Sequence, residues 1–336
     1  VIGAIGGPTG GAPLAESLGE LFAARAFTSV AQARAVQMLD DIKAGMRLRV
    51  TALPWMTPAT KTLALQKLDA MAAKIGVPER WKTYDGLTLE PGDYAGNLLR
   101  VNAWATAHRL PDLDKPVDRR RWNTSPHIVN AFAAGGNQIV FPAGILQPPF
   151  FDAGADDASN YGGIGMVIGH EITHHFDDRG RQFDSVGNLR DWWTAEDATA
   201  YKARADQVAA LYSSYEPLPG ERIDGRLTLG ENISDVGGMQ IAYAGLQLAL
   251  ERQKKAGMNP PLIDGQTPEQ RFFRSNAVVW RTKYRTEALI NQLRTGSHSP
   301  ARWRVLGPMS NMDAFARAFQ CKPGDGMVAA NPITVW

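Results

Sequence analysis

Cysteine is nearly absent: Cys321 is the single one among 336 residues, so no disulfide can form within the chain. Long apolar runs are also missing. No stretch approaches the ~20 residues that a membrane-spanning helix requires, and the most apolar helical tract, residues 241–250, is too short. Charge is balanced, with 36 Lys and Arg against 34 Asp and Glu and a formal net charge of +2. We therefore expect no membrane span in this chain and no nucleic-acid partner.

Several common catalytic signatures are missing too. The chain contains no Gly-x-Ser-x-Gly elbow, no cysteine–histidine motif and no P-loop lysine in its glycine-rich runs. These absences disfavour the corresponding serine hydrolases, cysteine peptidases and nucleotide-binding proteins. The chain opens with Val1-Ile2-Gly3, without a Met or a basic segment, so we expect an N-terminus made by processing or cleavage.

One short pattern carries chemistry, His170-Glu171-Ile172-Thr173-His174. On a helix, residues four apart lie on the same face, so His170 and His174 can both direct an imidazole at one ion. Glu171 follows the first ligand and can reach a water on that ion without binding it. This is the pattern of zinc peptidases. The alternative interpretation is a helix that merely carries two surface histidines.

A third ligand must come from elsewhere in the chain, because the metzincin pattern would need a histidine where Gly180 stands. The best candidate is Glu231. Asp235 lies one helical turn later and can accept a hydrogen bond from the far nitrogen of a ligating histidine, which would fix its tautomer. The alternative remains open that Thr228 and Glu231 form a capping box at a helix start.

Three further residues lie on the same predicted helix as the two histidines. His175 lies about 100° around the helix from His174, so we expect it to point elsewhere. Met166 and Val167 lie on the ligand face and either line a pocket beside the metal or pack in the core; both interpretations remain open.

The N-terminal third has a helical pattern. Residues 1–13 are rich in Gly, Pro and Ala and predict a loop. Two helices are expected within residues 14–47, broken near Thr28, with Ser29 capping the second. A further helix is predicted from Pro58 to about Lys74, capped by Thr57, and another over residues 98–110.

The middle of the chain differs in character. Residues 128–132 and 138–141 are β-rich and flank Gly135-Gly136, which predicts a β-hairpin. The helix with the two ligand histidines is expected from about Asn160, as its cap, to about Asp177. It contains several glycines, each costing up to ~1 kcal/mol in a helix interior. Close packing against a neighbouring helix would offset that cost.

Taken together, several segments form an ordered series: residues 130–132, 141–151, 160–165, 170–180, 228–235 and 298–300, and the terminal Val335-Trp336. This series resembles the neprilysin and endothelin-converting-enzyme family of zinc endopeptidases. The resemblance runs from about Leu14 to Trp336.

The resemblance implies an α+β, mainly helical fold: a thermolysin-like (gluzincin) zinc peptidase domain over residues 101–336. Residues 1–100 would be the C-terminal part of an all-helical lid domain. Family members are about twice as long, so the chain is expected to be a C-terminal fragment. Its N-terminal half would be a partner, as a separate or cleaved chain.

The resemblance also implies residue roles. His170, His174 and Glu231 would bind one Zn²⁺ per chain, and Glu171 would be the general base. His298 would stabilise the oxyanion of the tetrahedral intermediate. The remaining implied residues contact the substrate: Asn130 and the Ala131 backbone hold its main chain, Arg304 bonds its carbonyl, and Ile145, Phe150, Met166, Val167 and Trp280 form the hydrophobic pocket.

Two positions depart from the family pattern. The family usually has Asp where this chain has Gly296, so the acid that would orient His298 is missing. Family sequences mostly have Gly where this chain has His175.

The expected function is zinc-dependent endopeptidase action on small peptides, before a hydrophobic residue, by attack of a zinc-bound water. The expected location is extracytoplasmic, either periplasmic or secreted. Two alternatives remain: a different gluzincin such as an aminopeptidase, or a binding or structural fragment that is inactive without its N-terminal half.

Overall fold

The computed structural model describes residues 12–336, so the loop expected at residues 1–13 lies almost entirely outside the described residues. The predicted α+β, mainly helical architecture is confirmed. The helices are α1 (Ala15–Ala26), α2 (Ser29–Ala52), α3 (Pro58–Asp69), α4 (Tyr94–Arg109), α5 (Asp157–Asn160), α6 (Met166–His174), α7 (Ala195–Ser213), α8 (Leu229–Lys255), α9 (Pro268–Val279), α10 (Thr286–Thr295), α11 (Ala301–Ser310) and α12 (Asp313–Phe319). The strands are β1 (Ala72–Gly76), β2 (Phe132–Ala134) and β3 (Gln138–Pro142).

The described chain divides into two compact units. The first comprises Ala73–Phe132, Val140–Gln147 and the described residues up to Ala33. The second comprises Arg34–Ala72, Ala133–Ile139 and Pro148–Trp336. The sequence-based division into residues 1–100 and 101–336 stays a prediction.

Helix α2 confirms the predicted break but not its predicted cap. The chain is extended at Phe27 between α1 and α2. The Oγ1 of Thr28, not Ser29, accepts a hydrogen bond from the backbone N of Ala31 at 3.1 Å. Ser29 as cap is therefore wrong, because the hydroxyl that meets the free N–H group lies one residue earlier.

Helix α3 begins as predicted and ends earlier. The Thr57 hydroxyl accepts from the backbone N of Thr60, and Pro58 takes the first helical position. The helix stops at Asp69 rather than near Lys74, because the following residues form β1. Pairing with another part of the chain overrides the local helical pattern here.

The three strands form one sheet in the order β1–β3–β2. Strands β2 and β3 are adjacent, so the predicted hairpin is confirmed, although β2 begins only at Phe132. Between them, Gly136 and Asn137 have positive φ angles of 73° and 57°. Glycine and asparagine are the residues that adopt this conformation most readily, which explains the tight turn.

The helix with the ligand histidines is shorter than predicted and is preceded by a wider turn. Asp156, not Asn160, caps α5 by accepting from the backbone N of Ser159. A π-helical segment, Tyr161–Gly165, separates α5 from α6. Helix α6 ends at His174 rather than Asp177, because the N–H of Phe176 bonds to the carbonyl of Thr173, three residues back.

Glycines bring α6 against α8. A Cβ atom at Gly169 would overlap the carbonyl oxygen of Gly238, and a Cβ atom at Gly238 would lie 2.5 Å from the backbone N of His170. The two helices can approach this closely only without side chains at both positions. This contact supports the expectation that close packing offsets the helical cost of the glycines.

Within residues 12–336, no helix combines the length and apolar character needed to cross a membrane.

Gly169→Ala tests the α6–α8 contact. We expect the free energy of unfolding to fall by about 2 kcal/mol, because a new methyl group would overlap backbone atoms, which cannot rotate away as a flexible side chain can. Urea denaturation measures the change. Gly326→Ala is the control, because Gly326 is exposed and an added Cβ would meet no atom within 4 Å. Equal stability of both variants would contradict the close contact.

Candidate metal centre

Helices α6 and α8 place three ligand-type side chains together. His170 and His174 project from one face of α6, and Glu231 projects from the first turn of α8. The Oε2 of Glu231 lies 3.2 Å from Nε2 of His170 and 3.5 Å from Nε2 of His174. All three ligand atoms lie within 4.8 Å of one another. The three ligands predicted from sequence therefore meet at one point.

His170 is held from behind by a buried ion pair. Its Nδ1 lies 2.8 Å from Oδ1 of Asp235, as predicted for a carboxylate one helical turn after Glu231. Arg304 on α11 donates to both oxygens of Asp235, each at 2.7 Å, and its guanidinium stacks 4.1 Å from the ring centre of Trp280. With Nδ1 donating to Asp235, the Nε2 atom of His170 is free to act as an acceptor.

His174 has its own carboxylate, which sequence analysis missed. Its Nδ1 lies 2.7 Å from Oδ2 of Asp177 and 3.0 Å from Oγ of Ser234. Asp177 is positioned by the backbone, because its Oδ1 accepts from the N–H groups of Arg179 and Gly180. The spacing of His174 and Asp177 is the available signal in the sequence, whereas the sequence analysis places Asp177 only at the end of the helix.

The carboxylates set the charge of the site. Burial lowers the pKa of His174, but Asp177 and Glu231 outweigh it and raise that pKa to about 10. Burial also lowers the pKa of His170, but hydrogen bonds to Asp235 and Glu231 outweigh burial, so the pKa of His170 is raised. Burial raises the pKa of Asp235, and the charge of Arg304 outweighs it, so Asp235 remains ionised. The carboxylates therefore stabilise positive charge on the two imidazoles, and a metal ion bound there would take the place of protons on the histidine nitrogens.

The residues fit a zinc ion. The buried Oε2 of Glu231 lies within 3.5 Å of an Nε2 atom of each of His170, His174 and His298, without hydrogen-bond geometry to any of them. Such convergence of nitrogen and carboxylate ligand atoms without a completed hydrogen bond suits a metal ion between them. Two imidazole nitrogens and one carboxylate oxygen form a known zinc ligand set. The side chains of His174 and Glu231 are 19% and 18% exposed, so one side of the centre is open. Catalytic zinc sites keep such an open position.

The capping-box interpretation of Glu231 is wrong. Thr228 is the residue before α8, but its side chain makes no cap bond to the helix start. The Thr228 hydroxyl instead donates to the carbonyl of Asp224 and accepts from the amide of Asn232. The Glu231 side chain is therefore available to a metal.

His298 approaches the centre from the loop before α11. Its Nε2 lies 3.0 Å from Oε2 of Glu231, and its side chain is half exposed. Its Nδ1 lies 3.1 Å from Oγ of Ser297. The loop is fixed by Ser299, whose hydroxyl donates to the side-chain oxygen of Asn232 on α8 at 2.7 Å. A network from α8 thus positions His298.

The remaining predicted residues lie in different surroundings. Glu171 is buried on α6 directly after His170, and Met166 at the start of α6 is buried as well. Val167, Phe150 and Trp280 are half-buried. Their pocket roles, and the choice between pocket and core for Met166 and Val167, stay predictions.

Asn130, Ala131 and Ile145 belong to the first unit. The side-chain oxygen of Asn130 accepts from the N–H of Ala131, and both precede β2 directly. Ile145 is buried. Their roles in holding a substrate stay predictions.

His175 points away from the metal ligands, which is the orientation predicted from the sequence. Its Nε2 lies 3.0 Å from the carbonyl oxygen of Gln138, and burial lowers its pKa to about 4. It acts as a neutral hydrogen-bonding group between α6 and β3.

Asp177→Asn tests the missed carboxylate. We expect zinc affinity to fall by about tenfold or more, because the partner that orients and polarises His174 is weakened. Competition with a chromogenic chelator measures the zinc dissociation constant. Asp206→Asn is the control, an aspartate that pairs only with surface cations. An Asp177 variant that binds zinc as tightly as the control would contradict this role.

Comparison with known proteins agrees with this geometry. Residues 130–335 match the profile described as Peptidase family M13, and residues 10–78 match its N-terminal profile. An endothelin-converting enzyme homolog from Locusta migratoria is 38% identical over 329 residues, covering 95% of this chain and 45% of the relative. Human endothelin-converting enzyme 1 is 37% identical over 328 residues, covering 95% and 42%.

Solved structures are similar as well. A crystal structure of the zinc metalloprotease ZMP1 of Mycobacterium tuberculosis, in complex with an inhibitor, matches with a TM-score of 0.86 and 42% identity, covering 96% of this chain and 49% of that one. PEPO from Lactobacillus rhamnosis matches with a TM-score of 0.85 and 35% identity, covering 96% and 49%. These likenesses confirm the thermolysin-like zinc peptidase fold.

The chain spans less than half of the length of these relatives. The profile match covers more than half of the chain and includes all three metal ligands. The resemblance inferred from sequence is thereby confirmed, and the chain belongs to peptidase family M13.

Proposed function

We propose that this chain is the catalytic part of a zinc-dependent endopeptidase that cleaves small peptides before a hydrophobic residue. The observation that carries the proposal is the meeting of His170, His174 and Glu231, with Glu171 buried beside them. One ligand set was found among the described residues, which supports one zinc ion per chain.

Glu171 is assigned as the general base. A bound zinc ion would polarise the scissile carbonyl and lower the pKa of a water molecule toward ~7. Glu171 would accept a proton from the attacking water and then donate it to the departing amine. Its position next to His170 on α6 keeps it close to the centre without making it a ligand. The proposed chemistry is a one-step attack by the activated water, without an acyl-enzyme.

His298 is assigned to the oxyanion. It is held near the open side of the centre, where its Nε2–H could donate to the oxygen that gains charge during attack. Gly296 stands where the family usually has an acid. In this chain the hydroxyl of Ser297 lies 3.1 Å from Nδ1 of His298, which supports Ser297 as the group that orients His298 in place of the acid.

The substrate main chain is assigned to the edge of the sheet. In the order β1–β3–β2, strand β2 has a free edge to which an extended peptide can add. Asn130 and Ala131 directly precede that edge. Arg304 is anchored to Asp235 through Nε and Nη2, so its Nη1 is assigned to a substrate carbonyl.

Specificity for a hydrophobic residue after the cut is assigned to four side chains of the second unit. They are Phe150, Met166, Val167 and Trp280. All four are apolar or aromatic, which suits an apolar substrate side chain.

The N-terminal half of the same protein is proposed as a partner, as a separate or cleaved chain. Support comes from the share of the relatives that this chain spans, which is less than half. An extracytoplasmic location is proposed on the resemblance to the neprilysin family alone.

The direct test is cleavage of a quenched peptide library by the purified chain, with and without a zinc chelator. Intact-mass analysis first identifies every polypeptide in the sample. Internal cleavage that the chelator abolishes would support the endopeptidase proposal. No cleavage by a zinc-loaded sample would support the alternative of a fragment that needs its N-terminal half. Cleavage unaffected by the chelator would overturn the metal mechanism.

Glu171→Gln should abolish turnover and leave zinc affinity nearly unchanged, because the amide cannot accept the proton and never binds the metal. Peptide cleavage and zinc titration are measured on the same sample. Glu251→Gln, at an exposed position on α8, is the control. Full turnover by the Glu171 variant would rule out its role as the base.

His298→Ala should lower kcat by roughly 10²–10³ with a smaller change in KM, because an oxyanion donor acts mainly in the transition state. Steady-state cleavage of one peptide identified in the library gives both constants. His108→Ala replaces an exposed histidine and should leave both unchanged. A rise in KM alone would instead point to ground-state binding.

A further inference from the structure

Lys67 on α3 is the most deeply buried lysine of the described chain, with 1% of its surface exposed. Its Nζ donates to the carbonyl oxygens of His175 at 2.6 Å, Gly180 at 2.8 Å and Phe183 at 2.5 Å. Its three N–H donors thus have three acceptors, which is the full capacity of an ammonium group. Burying a charge is costly unless such bonds compensate it.

All three acceptors lie in one segment, residues 175–183, which we call the post-helix loop. It follows α6 directly, where the final carbonyls of a helix lack intrahelical partners and carry partial negative charge. An ammonium group suits the carbonyl of His175 at this helix end, while the carbonyls of Gly180 and Phe183 lie farther along the loop. The rings of Phe176 and Trp192 lie 5.3 Å and 5.7 Å from Nζ and surround the charge.

The post-helix loop also carries the carboxylate that holds His174. Asp177 bonds to Nδ1 of His174 and accepts from the N–H of Gly180. Gly180 is in turn an acceptor for Lys67 through its carbonyl. A Cβ atom at Gly180 would overlap the carbonyl of His174, so the loop folds tightly back on the helix end. Lys67, the loop, Asp177 and His174 therefore form a continuous series of contacts.

Two nearby carboxylates, those of Asp177 and Asp184, also stabilise the charged form of Lys67. Burial lowers the pKa of Lys67 to about 8, against the raising influence of Asp177 and Asp184. At pH 7 the side chain is thus still mainly an ammonium. Lys61, nearer the start of α3, is a contrasting lysine, because its Nζ donates to one carbonyl, that of Thr51, at the surface.

We propose that Lys67 is a positioning residue of the metal centre: it fixes the post-helix loop so that Asp177 directs the imidazole of His174 toward the ion. This inference rests on the proposed zinc site. The hydrogen bonds of Lys67 reach His175, Gly180 and Phe183 and none of the three metal ligands, so its influence must pass through the loop.

The primary test is the zinc dissociation constant of Lys67→Met, which keeps the length of the side chain and removes its charge and donors. We expect affinity to fall by about tenfold, the lower end of the range for outer partners of zinc ligands. Lys61→Met, on the same helix, should leave it unchanged. Unchanged affinity in Lys67→Met would overturn the proposal, and a wild-type chain that binds no zinc would overturn both this inference and the zinc site.

A general loss of stability must be separated from positioning. Val208→Ala shortens a fully buried side chain on α7, a helix outside the post-helix loop. It should lower the melting temperature without weakening zinc binding. If it weakens zinc binding as much as Lys67→Met does at a similar loss of stability, the positioning role is contradicted.

A double-mutant cycle tests the route. If Lys67 acts through Asp177, the double variant Lys67→Met/Asp177→Asn should bind zinc within about twofold of Asp177→Asn alone, because coupled residues are not additive. Multiplying effects would overturn the route through Asp177.

Lys67→Gln covers the case in which Lys67→Met does not fold. Its amide still offers donors to the buried carbonyls but carries no charge. We expect a severalfold weaker zinc affinity than wild type; wild-type affinity would contradict the proposal.

Discussion

The close approach of α6 and α8 is the constraint on which the centre depends. Gly169 and Gly238 remove the side chains that would hold the two helices apart, and backbone then meets backbone. That approach brings the first turn of α8, with Glu231, beside the histidine face of α6. The helical cost of these glycines is offset because they allow a contact that no larger residue could make.

The second feature is the treatment of buried charge. Each ligand histidine has a carboxylate on its far nitrogen: Asp235 for His170 and Asp177 for His174. Neither carboxylate is isolated. Asp235 is paired with Arg304, whereas Asp177 accepts from backbone N–H groups of its own loop. One histidine is therefore oriented by a side-chain ion pair and the other by a folded loop.

This difference gives the two ligands different dependencies. His170 depends on α8 and α11, which supply Asp235 and Arg304. His174 depends on the post-helix loop, and Lys67 on α3 donates hydrogen bonds to three carbonyl oxygens of that loop. A helix far back in the sequence thus contributes to the same centre as the helices that carry the ligands.

The sequence by itself determined the helical character of the chain, the hairpin and the two histidine ligands, because these depend on local periodicity and spacing, and it offered Glu231 as the best candidate for the third ligand. His170 and His174 share a face whatever surrounds α6. Only the tertiary structure decided between metal binding and capping for Glu231, and only it revealed Asp177 as a partner of His174. It also ended α3 and α6 early. Those outcomes depend on hydrogen bonds and close approaches between distant segments, which no local pattern encodes.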